Sequence, residues 1–408
     1  MDKIKSIRAK EILDSRANPT VEVKITLESG IQALASVPSG ASTGVHEAHE
    51  LRDNDKNRYN GKGVLTAVKN VNEIISPALV GRDVECWADD IMLSLDGSRT
   101  KENLGANAVL AVSLAIARAA AKSYGKELFE FLSRDKVYRM PTPMFNLLNG
   151  GAHANNNVDI QEFMVVPHGL DLPDAIRAGS EIYHTLGILL KNRGLSTGVG
   201  DEGGFAPNLN TDEEAIELLC MAISKSGYST DKVGIALDVA SSEWYKNGEY
   251  LLPKRGEKYT SNELTEYYSA LIKKYPIISI EDGIGEDDLA GWSKLTAALG
   301  EKCMLVGDDL FVTNTQRLSM GIKHSAANAI LIKPNQIGSL SQMMSVIDMA
   351  RDVGYKYIIS HRSGETLDSA ISDIAVATKA EFIKAGAPAR GERVAKYNRL
   401  LEILDMIS

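Results

Sequence analysis

The clearest hydrophobic pattern in the chain lies between Val233 and Ser363, where five apolar segments each end in a charged or titratable residue. The segments are VGIALD, PIISIE, CMLVGD, NAILIK and KYIISH, and they end at Asp238, Glu281, Asp308, Lys333 and His361. A short apolar run without polar alternation is typical of a strand buried on both faces. The sequence between the segments is mostly of helical composition, and a strand with its returning helix takes about 30 residues. The pattern therefore predicts repeated βα units around a parallel sheet.

The polar residues that end these segments are candidates for a shared site. Strand ends in a parallel sheet collect at its carboxyl rim, where a closed βα barrel keeps its active site. Asp238, Glu281 and Asp308 would place three negative charges together, and a hard divalent cation would relieve their repulsion. All-oxygen ligands favour Mg²⁺ or Mn²⁺ over zinc. A nearby cation and partial burial would both favour the neutral amine of Lys333, which could then act as a base.

The alternative is that these are ordinary strand-terminal polar residues that face solvent. Five of them in register favour the shared site. A metal, carboxylates and a lysine together indicate removal of a proton next to a carboxylate group.

The first third of the chain has a different pattern. Three alternating segments predict a small meander, and helical patterns follow it. A break at Pro141 and Pro143 indicates a boundary near residues 134–143. We therefore expect a smaller N-terminal α+β domain, residues 1–136, followed by an α/β domain of the (βα)8-barrel type, residues 137–408. The predicted strands cover 3–13, 19–28 and 31–37, and the predicted helices cover 63–79, 86–95 and 105–123.

Composition and charge narrow the classes of function. The 408 residues carry a net charge of −9, which argues against a nucleic-acid partner. Cys86, Cys220 and Cys303 are far apart and without C-x-x-C spacing, which fits a reducing cytosol rather than a zinc site or a disulfide framework. The N-terminus has no apolar core typical of a secretory signal, and the longest apolar run, Val109 to Ala121, is too short to span a bilayer.

Several polar loops carry further candidates. The Gly/Ser-rich stretch from Val37 to Asp53 predicts a mobile loop whose Ser39, Ser42 and Thr43 could offer hydroxyls to a metal or a phosphate, although many such loops are only linkers. His153 lies in a polar loop, where a histidine more often forms hydrogen bonds within the loop than acts in a functional site.

Gln161 and Glu162 interrupt an apolar strand, where burial without a polar partner would be costly, so we expect them to meet a ligand or another polar group. Glu202 lies in GVGDEGGFAPN and could donate a proton, although turn formation alone would also explain the glycines. Arg362 and Ser363 follow His361 and suit an anion, and Lys384 follows a further strand-like run, DIAVATKAEFI.

Long motifs in a fixed order resemble the enolase family along nearly the whole chain. They include DSRANPTVEV, PSGASTGVHEAHELRD, NGGAHANNNVDIQEF, GDEGGFAPN, SIEDG, VGDDLFVTN, LIKPNQIGS and SHRSGET. The resemblance implies an atypical α/β barrel after a small α+β domain. It also implies a cytoplasmic homo-oligomer, dimer or octamer, that interconverts 2-phosphoglycerate and phosphoenolpyruvate with two Mg²⁺ ions, the second arriving with substrate.

The same resemblance implies a role for each candidate residue. Lys333 resembles the base at C2, Glu202 the acid for the leaving hydroxyl, and Glu162 the partner of that acid. Ser39 resembles the ligand of the second metal. The remaining positions resemble the first metal's ligands (Asp238, Glu281 and Asp308), substrate-contacting residues (His153 and Gln161), a phosphate clamp (Arg362 and Ser363), and a lysine on the carboxylate side (Lys384). His361, which lies near that lysine, is counted among the catalytic residues.

Two other functions compete with this prediction. A sugar-acid dehydratase or racemase of the same superfamily would share the carboxylates and a lysine, but would not need Ser39, Arg362 and Ser363 to hold a phosphate. A binding protein with the same fold would be expected to have lost Lys333 or Glu202, and both are present. The one notable departure from the family motifs is Ala17, where DSRGNPT usually has glycine.

Overall fold

The N-terminal part of the chain is a three-stranded antiparallel sheet covered by helices. The computed structural model describes residues 2–40, 46–85 and 88–408. The strands are β1 (Ile4–Leu13), β2 (Pro19–Leu27) and β3 (Gln32–Ser36), in the order β1-β2-β3. Val21, Val23, Ile25 and Leu27 alternate along β2 and are fully buried, as expected for a strand with one face on a core.

Helices of the N-terminal part follow a 3₁₀ turn at Tyr59–Gly61. They are α1 (Leu65–Asn70), a π-helical turn (Val71–Ile75), α2 (Ser76–Leu79), α3 (Ala88–Asp96), α4 (Ala106–Ser123) and α5 (Leu128–Leu132). Nearly all of α4 is buried, because its alanines let β2 and β3 on one side and barrel helices on the other approach closely. The predicted meander and helices are confirmed here, except that the residues of the predicted helix start at 86 and 87 lie outside the described residues.

Eight strands close into a barrel in the second part of the chain. They are β4 (Thr142–Asn149), β5 (Glu162–Val166), β6 (Gly234–Asp238), β10 (Ile277–Glu281), β11 (Met304–Gly307), β12 (Ala329–Ile332), β13 (Lys356–Ser360) and β14 (Phe382–Lys384). Three short strands, β7 (Tyr245–Lys246), β8 (Glu249–Leu251) and β9 (Lys258–Tyr259), form a separate small sheet after β6. The five predicted strands of the repeat are β6 and β10 to β13.

The barrel is atypical because β5 runs antiparallel to both of its neighbours. It pairs with β4 on one side and with β6 on the other, whereas the other neighbouring strands of the barrel run parallel. The beginning of β5 therefore lies at the same rim as the ends of β4 and β6.

Helices surround the barrel, and the first residues of several are set by side-chain caps. The helices are α6 (Leu172–Asn192), α7 (Asp212–Lys225), α8 (Ser261–Lys274), α9 (Leu289–Leu299), α10 (Thr315–Lys323), α11 (Pro334–Ile337), α12 (Leu340–Asp352), α13 (Ala370–Thr378) and α14 (Gly391–Ile407). Asp171, Thr211, Thr260, Asp288 and Asn314 each accept a backbone N–H of the helix that follows. These caps stabilise the helix starts.

One prediction is corrected by this fold. The run DIAVATKAEFI was interpreted as strand-like throughout, but residues 373–378 belong to α13 and only Phe382–Lys384 form the strand β14. A helix buried on all sides is apolar all round, so its sequence lacks the polar face that separates a helix from a buried strand.

Candidate active site

Strand ends bring the predicted residues to one rim of the barrel. Glu281 at the end of β10 is in register with Asp238 at the end of β6. Asp308, Lys333 and His361 directly follow β11, β12 and β13. One cavity at this rim is lined by residues of the predicted set, namely His153, Gln161, Glu162, Glu202, Asp238, Asp308, Lys333, His361, Arg362, Ser363 and Lys384.

Glu162 reaches the rim from the antiparallel strand. As the first residue of β5, it lies in register with Asp238 on one side and Asn149 on the other. Gln161, one residue earlier, donates its amide Nε2 to Asp238 Oδ2 at 3.2 Å, and its backbone N–H to the Asp238 carbonyl at 3.0 Å. Both polar residues that interrupt the apolar run therefore meet polar partners at the rim.

A buried ammonium group lies among three of the carboxylates. Lys384 Nζ is 3.1 Å from Asp238, 3.0 Å from Glu281 and 3.2 Å from Glu162. Burial lowers the pKa of Lys384, but these carboxylates outweigh it and hold the pKa well above its usual value. Burial and the charge of Asp238 raise the pKa of Glu281 well above its ordinary range.

Asp308 is held by a second lysine. Lys333 Nζ contacts Asp308 Oδ2, and Gln336 Nε2 donates to Oδ1 of the same carboxylate at 2.9 Å. Burial lowers the pKa of Lys333, but Asp308 outweighs it, so the pKa is raised in the chain by itself. The predicted lowering of the Lys333 pKa assumed a cation nearby. The protein side chains taken alone raise this pKa instead.

A second group of titratable side chains faces this cluster. His153 Nδ1 is 3.4 Å from Glu162 Oε1 and 3.8 Å from Glu202 Oε1. Burial lowers the pKa of His153, but Glu202 and Glu162 outweigh it and raise the pKa to about 9. Burial and the charge of Glu202 raise the pKa of Glu162. A proton near neutral pH is thus held on His153.

Glu202 is the most heavily hydrogen-bonded carboxylate of this group. It accepts from Asn146 Nδ2 at 3.1 Å and from Ser363 Oγ at 3.3 Å, and His361 Nε2 lies 3.5 Å away. Burial raises the pKa of Glu202, but the two nearby histidines, His361 and His153, outweigh it and lower the pKa well below its usual value. Burial lowers the pKa of His361 itself to about 4, so His153 carries the positive charge near neutral pH.

Arg393 determines which nitrogen of His361 carries the proton. Its Nη1 lies 2.7 Å from His361 Nδ1 and 2.6 Å from the Arg362 carbonyl. A guanidinium can only donate, so Nδ1 must accept and the proton of the neutral imidazole lies on Nε2. His361 therefore donates toward Glu202. Arg393 is fully buried in α14.

The anion-binding candidates lie where the N-terminal part meets the barrel. Ser39 pairs through its backbone with Gly364, and its hydroxyl donates to Asp14 Oδ2 at 2.7 Å. Arg362 Nη1 lies 3.0 Å from Glu47 Oε2 and 3.1 Å from Asn335 Oδ1. The two other candidate hydroxyls, on Ser42 and Thr43, lie outside the described residues.

The donor set fits a hard divalent cation. Asp238, Glu281 and Asp308 are buried carboxylates whose charges are met by two lysine ammonium groups. A divalent ion offers the same neutralisation, and oxygen ligands favour Mg²⁺. The groups in the described ranges whose ligand atoms lie within 4.8 Å of one another are His153 with Glu162 and Glu202, and Asp282 with Asp308 and Asp309. Of the three predicted metal ligands, Asp308 belongs to one of these two groups, whereas Asp238 and Glu281 belong to neither.

Sequence reasoning missed residues that hold the rim in place. Asp282 accepts the backbone N–H groups of Asp308 at 2.9 Å and Asp309 at 2.8 Å, which fixes the turn after β11. Burial and Asp308 raise the pKa of Asp309 to about 7. In the sequence, the adjacent acidic residues Glu281-Asp282 and Asp308-Asp309 were the feature that could have indicated Asp282 and Asp309. Asn146, Glu47 and Arg393 had no comparable signal in a single sequence.

Fold and site together define an α/β-barrel enzyme with carboxylates and lysines at its carboxyl rim. Residues 4–132 match the family model described as "Enolase, N-terminal domain", and residues 137–408 match "Enolase, C-terminal TIM barrel domain". The chain therefore belongs to the enolase family, and it is an enzyme of the enolase superfamily. Among the described residues, no helix combines the length and apolar character that crossing a bilayer would require.

Proposed function

We propose that the protein is a phosphopyruvate hydratase that interconverts 2-phospho-D-glycerate with phosphoenolpyruvate and water. The observation that carries this proposal is that two sets of charged side chains line one cavity. Lys333 and Lys384 lie there with metal-type carboxylates, and Glu202 lies there with Glu162 and His153. A dehydration needs one group to remove a proton and another to protonate the leaving hydroxyl.

Lys333 is the proposed base for the proton at C2. It follows β12, and its N–H is fixed by Thr313 Oγ1 at 2.9 Å, so the side chain starts from a rigid position. A base must be neutral to act, and positive charge brought to Asp308 would withdraw the interaction that now keeps Lys333 protonated. Lys333 would thus lose its proton, and become able to act as a base, when metal and substrate bind.

Glu202 is the proposed acid for the hydroxyl at C3. Its low pKa in the chain by itself means that it must receive a proton before it can donate one. His153, whose pKa is raised to about 9, holds a proton 3.8 Å from Glu202, and Glu162 lies 3.4 Å from the same histidine nitrogen. Asn146 and Ser363 orient its carboxyl group, and His361 donates toward it from Nε2. Glu162 is therefore proposed as the partner that supports the acid.

The remaining residues are proposed to bind the charged ends of the substrate. Arg362 and Ser363 suit the phosphate, and Lys384 suits the carboxylate on which negative charge accumulates. His153 and Gln161 would contact the substrate from the loop before β5. Asp238, Glu281 and Asp308 would hold one Mg²⁺, and Ser39 would bind a second that arrives with the substrate. Two bound Mg²⁺ ions would supply positive charge that stabilises the carboxylate dianion.

A sugar-acid dehydratase or racemase of the same superfamily is the second candidate. Arg362 favours the phosphorylated substrate over it, because the guanidinium is buried at the rim and planar forks suit phosphate oxygens. A binding-only role is disfavoured by the intact base and acid.

We further propose two domains, residues 1–136 and 137–408, with the active site formed at their junction. We also propose a cytoplasmic homo-oligomer, either a dimer or an octamer. The resemblance to the family supports these points, and size-exclusion chromatography with light scattering would test the oligomeric state.

The function is tested by the absorbance of phosphoenolpyruvate formed from 2-phosphoglycerate. The wild type is assayed with Mg²⁺, with Mg²⁺ plus excess chelator, and with a sugar-acid substrate. We expect product with Mg²⁺, at least about 100-fold less with chelator, and no reaction of the sugar acid. Absence of turnover with any divalent ion would contradict the proposal.

A further inference from the structure

A partly buried arginine outside the cavity lies between two carboxylates that the proposed chemistry does not use. Arg255 lies in the segment between β8 and β9. Its Nε is 3.2 Å from Asp159 Oδ2, and its Nη2 is 2.8 Å from Asp212 Oδ2. The Asp159 and Asp212 side chains are 0% and 1% exposed, whereas the Arg255 side chain is 18% exposed. One guanidinium thus lies against two buried carboxylates.

These carboxylates also accept backbone N–H groups from two separate segments. Asp159 accepts the backbone N–H of Lys254 at 2.7 Å and of Arg255 at 3.2 Å. Asp212, the first residue of α7, accepts the backbone N–H of Asp159 at 2.9 Å and of Ile160 at 3.2 Å. Arg255 closes this network, so the segment between β8 and β9, the start of α7 and the end of the loop 150–161 are fixed to one another.

The loop 150–161 carries the two residues proposed to contact substrate from this side. His153 lies at one end and Gln161 at the other. The backbone bonds from Gly150 to Gln161 and from Gly151 to Val158, both 2.9 Å, tie these ends together. A shift of Asp159 would therefore move Gln161 directly and His153 through the paired backbone.

We propose that Arg255 is a positioning residue that holds the loop 150–161, and with it His153 and Gln161, in the geometry needed for turnover. This inference rests on the proposed function. Arg255 acts from outside the cavity, because it touches Asp159 and Asp212 rather than the residues that line it. A misplacement of about 1 Å in substrate-contacting groups can lower a rate about 100-fold.

The test compares Arg255→Met, Arg255→Lys and the control Arg193→Met. Arg193 also pairs with α7, through Glu214 at 3.4 Å, but its side chain is 38% exposed and its polar partners, Glu214 and Met221, both belong to α7. Each variant is measured for kcat/KM with 2-phosphoglycerate and Mg²⁺, for Tm, and for amide hydrogen exchange by segment. Arg255→Lys keeps a positive charge and serves if Arg255→Met does not fold.

We expect Arg255→Met to lower kcat/KM by about 10- to 100-fold and to speed exchange in 150–161 while exchange in β11 to β13 stays unchanged. Arg255→Lys should show the same changes to a smaller degree, because an ammonium cannot reach both carboxylates in the geometry of the fork. Arg193→Met should match the wild type.

Unchanged kcat/KM and unchanged loop exchange in both Arg255 variants would overturn the inference. Faster exchange throughout the barrel would also overturn it, since that result marks a general stability role. If the wild type turns over no 2-phosphoglycerate, the proposed function fails, whereas the exchange of 150–161 still decides whether Arg255 holds the loop.

Discussion

The interior of the barrel and its carboxyl rim are built by the same strands but differ in what they contain. The interior is an apolar cluster of nine buried side chains: Met144, Met164, Val166, Ala236, Met304, Val306, Ala329, Leu331 and Ile358. The rim, a few residues further along these strands, has buried carboxylates and lysines in direct contact. Burying apolar surface stabilises a fold, whereas burying charge costs free energy even when the charges are paired.

The comparison teaches that stability and chemistry are separated along each strand. Side chains in the middle of a strand pack in the barrel interior and stabilise the fold. The residue at the end of the strand lies outside that packing, so it can be a reactive side chain. Substitutions at the rim should therefore act mainly on turnover, and substitutions in the interior mainly on the free energy of unfolding.

The largest expected effect is at the rim. Lys333→Met should lower kcat/KM by about 10³- to 10⁴-fold, because the proposed general base is lost. The variant should still fold, since Gln336 keeps its bond to Asp308 and the carboxyl group can take up a proton. Steady-state kinetics with circular dichroism checks both points. Wild-type turnover by this variant would show that another group removes the proton.

The matching change in the interior is Ile358→Ala, on the strand that ends before His361. Loss of its buried side chain should lower the free energy of unfolding by about 2–5 kcal/mol, with kcat/KM of the folded protein changed much less than in Lys333→Met. Denaturant titration measures the first quantity. Ile358→Val is the control, with an expected cost of about 0.5–1.5 kcal/mol. A large loss of kcat/KM without loss of stability would break the comparison.

A smaller effect concerns pH at the rim. The pKa of His153 is raised from 6.5 to about 9, so folding favours its protonated form. This stabilisation is fully present below pH 6.5 and is lost as the pH rises toward 9. Between these values the wild type should lose on the order of 2 kcal/mol more unfolding free energy than His153→Gln. If the unfolding free energies of the two proteins fall equally with pH, the pKa of His153 is not raised.

The smallest effect lies outside the barrel. Ala17 has a φ of 58°, in the left-handed region that favours glycine, and it closes the turn at Asp14, which accepts the Ser39 hydroxyl. Ala17→Gly should raise the free energy of unfolding by about 0.5–1 kcal/mol. Thermal unfolding checks it, and a lower Tm would mean that the gain in chain entropy on unfolding exceeds the relief of strain.

Much of the barrel and its rim was predictable because each strand is an apolar run that stops at a charged residue. Asp238, Glu281, Asp308 and Lys333 were placed at the rim from this pattern alone. The antiparallel direction of β5 was not predicted, because a short apolar run has the same sequence character in either direction. That direction is what brings Glu162 to the rim.

Other features of the site depend on contacts between distant parts of the chain. Arg393 has no candidate role in the sequence, yet it is buried and fixes the proton of His361 on Nε2. The raised pKa of Lys333 follows from its contact with Asp308, a contact that the sequence does not show. Both properties depend on the tertiary packing rather than on local spacing.

The central claim is that the rim holds a base and an acid with opposite roles in one dehydration. The most direct test uses 2-phosphoglycerate with deuterium at C2, in ordinary water with Mg²⁺, and measures deuterium loss from remaining substrate together with phosphoenolpyruvate formation. The wild type should form product. Glu202→Gln should lose product formation but still exchange the deuterium, and Lys333→Ala should do neither. Deuterium loss at the wild-type rate in Lys333→Ala, or wild-type product formation in Glu202→Gln, would contradict the account.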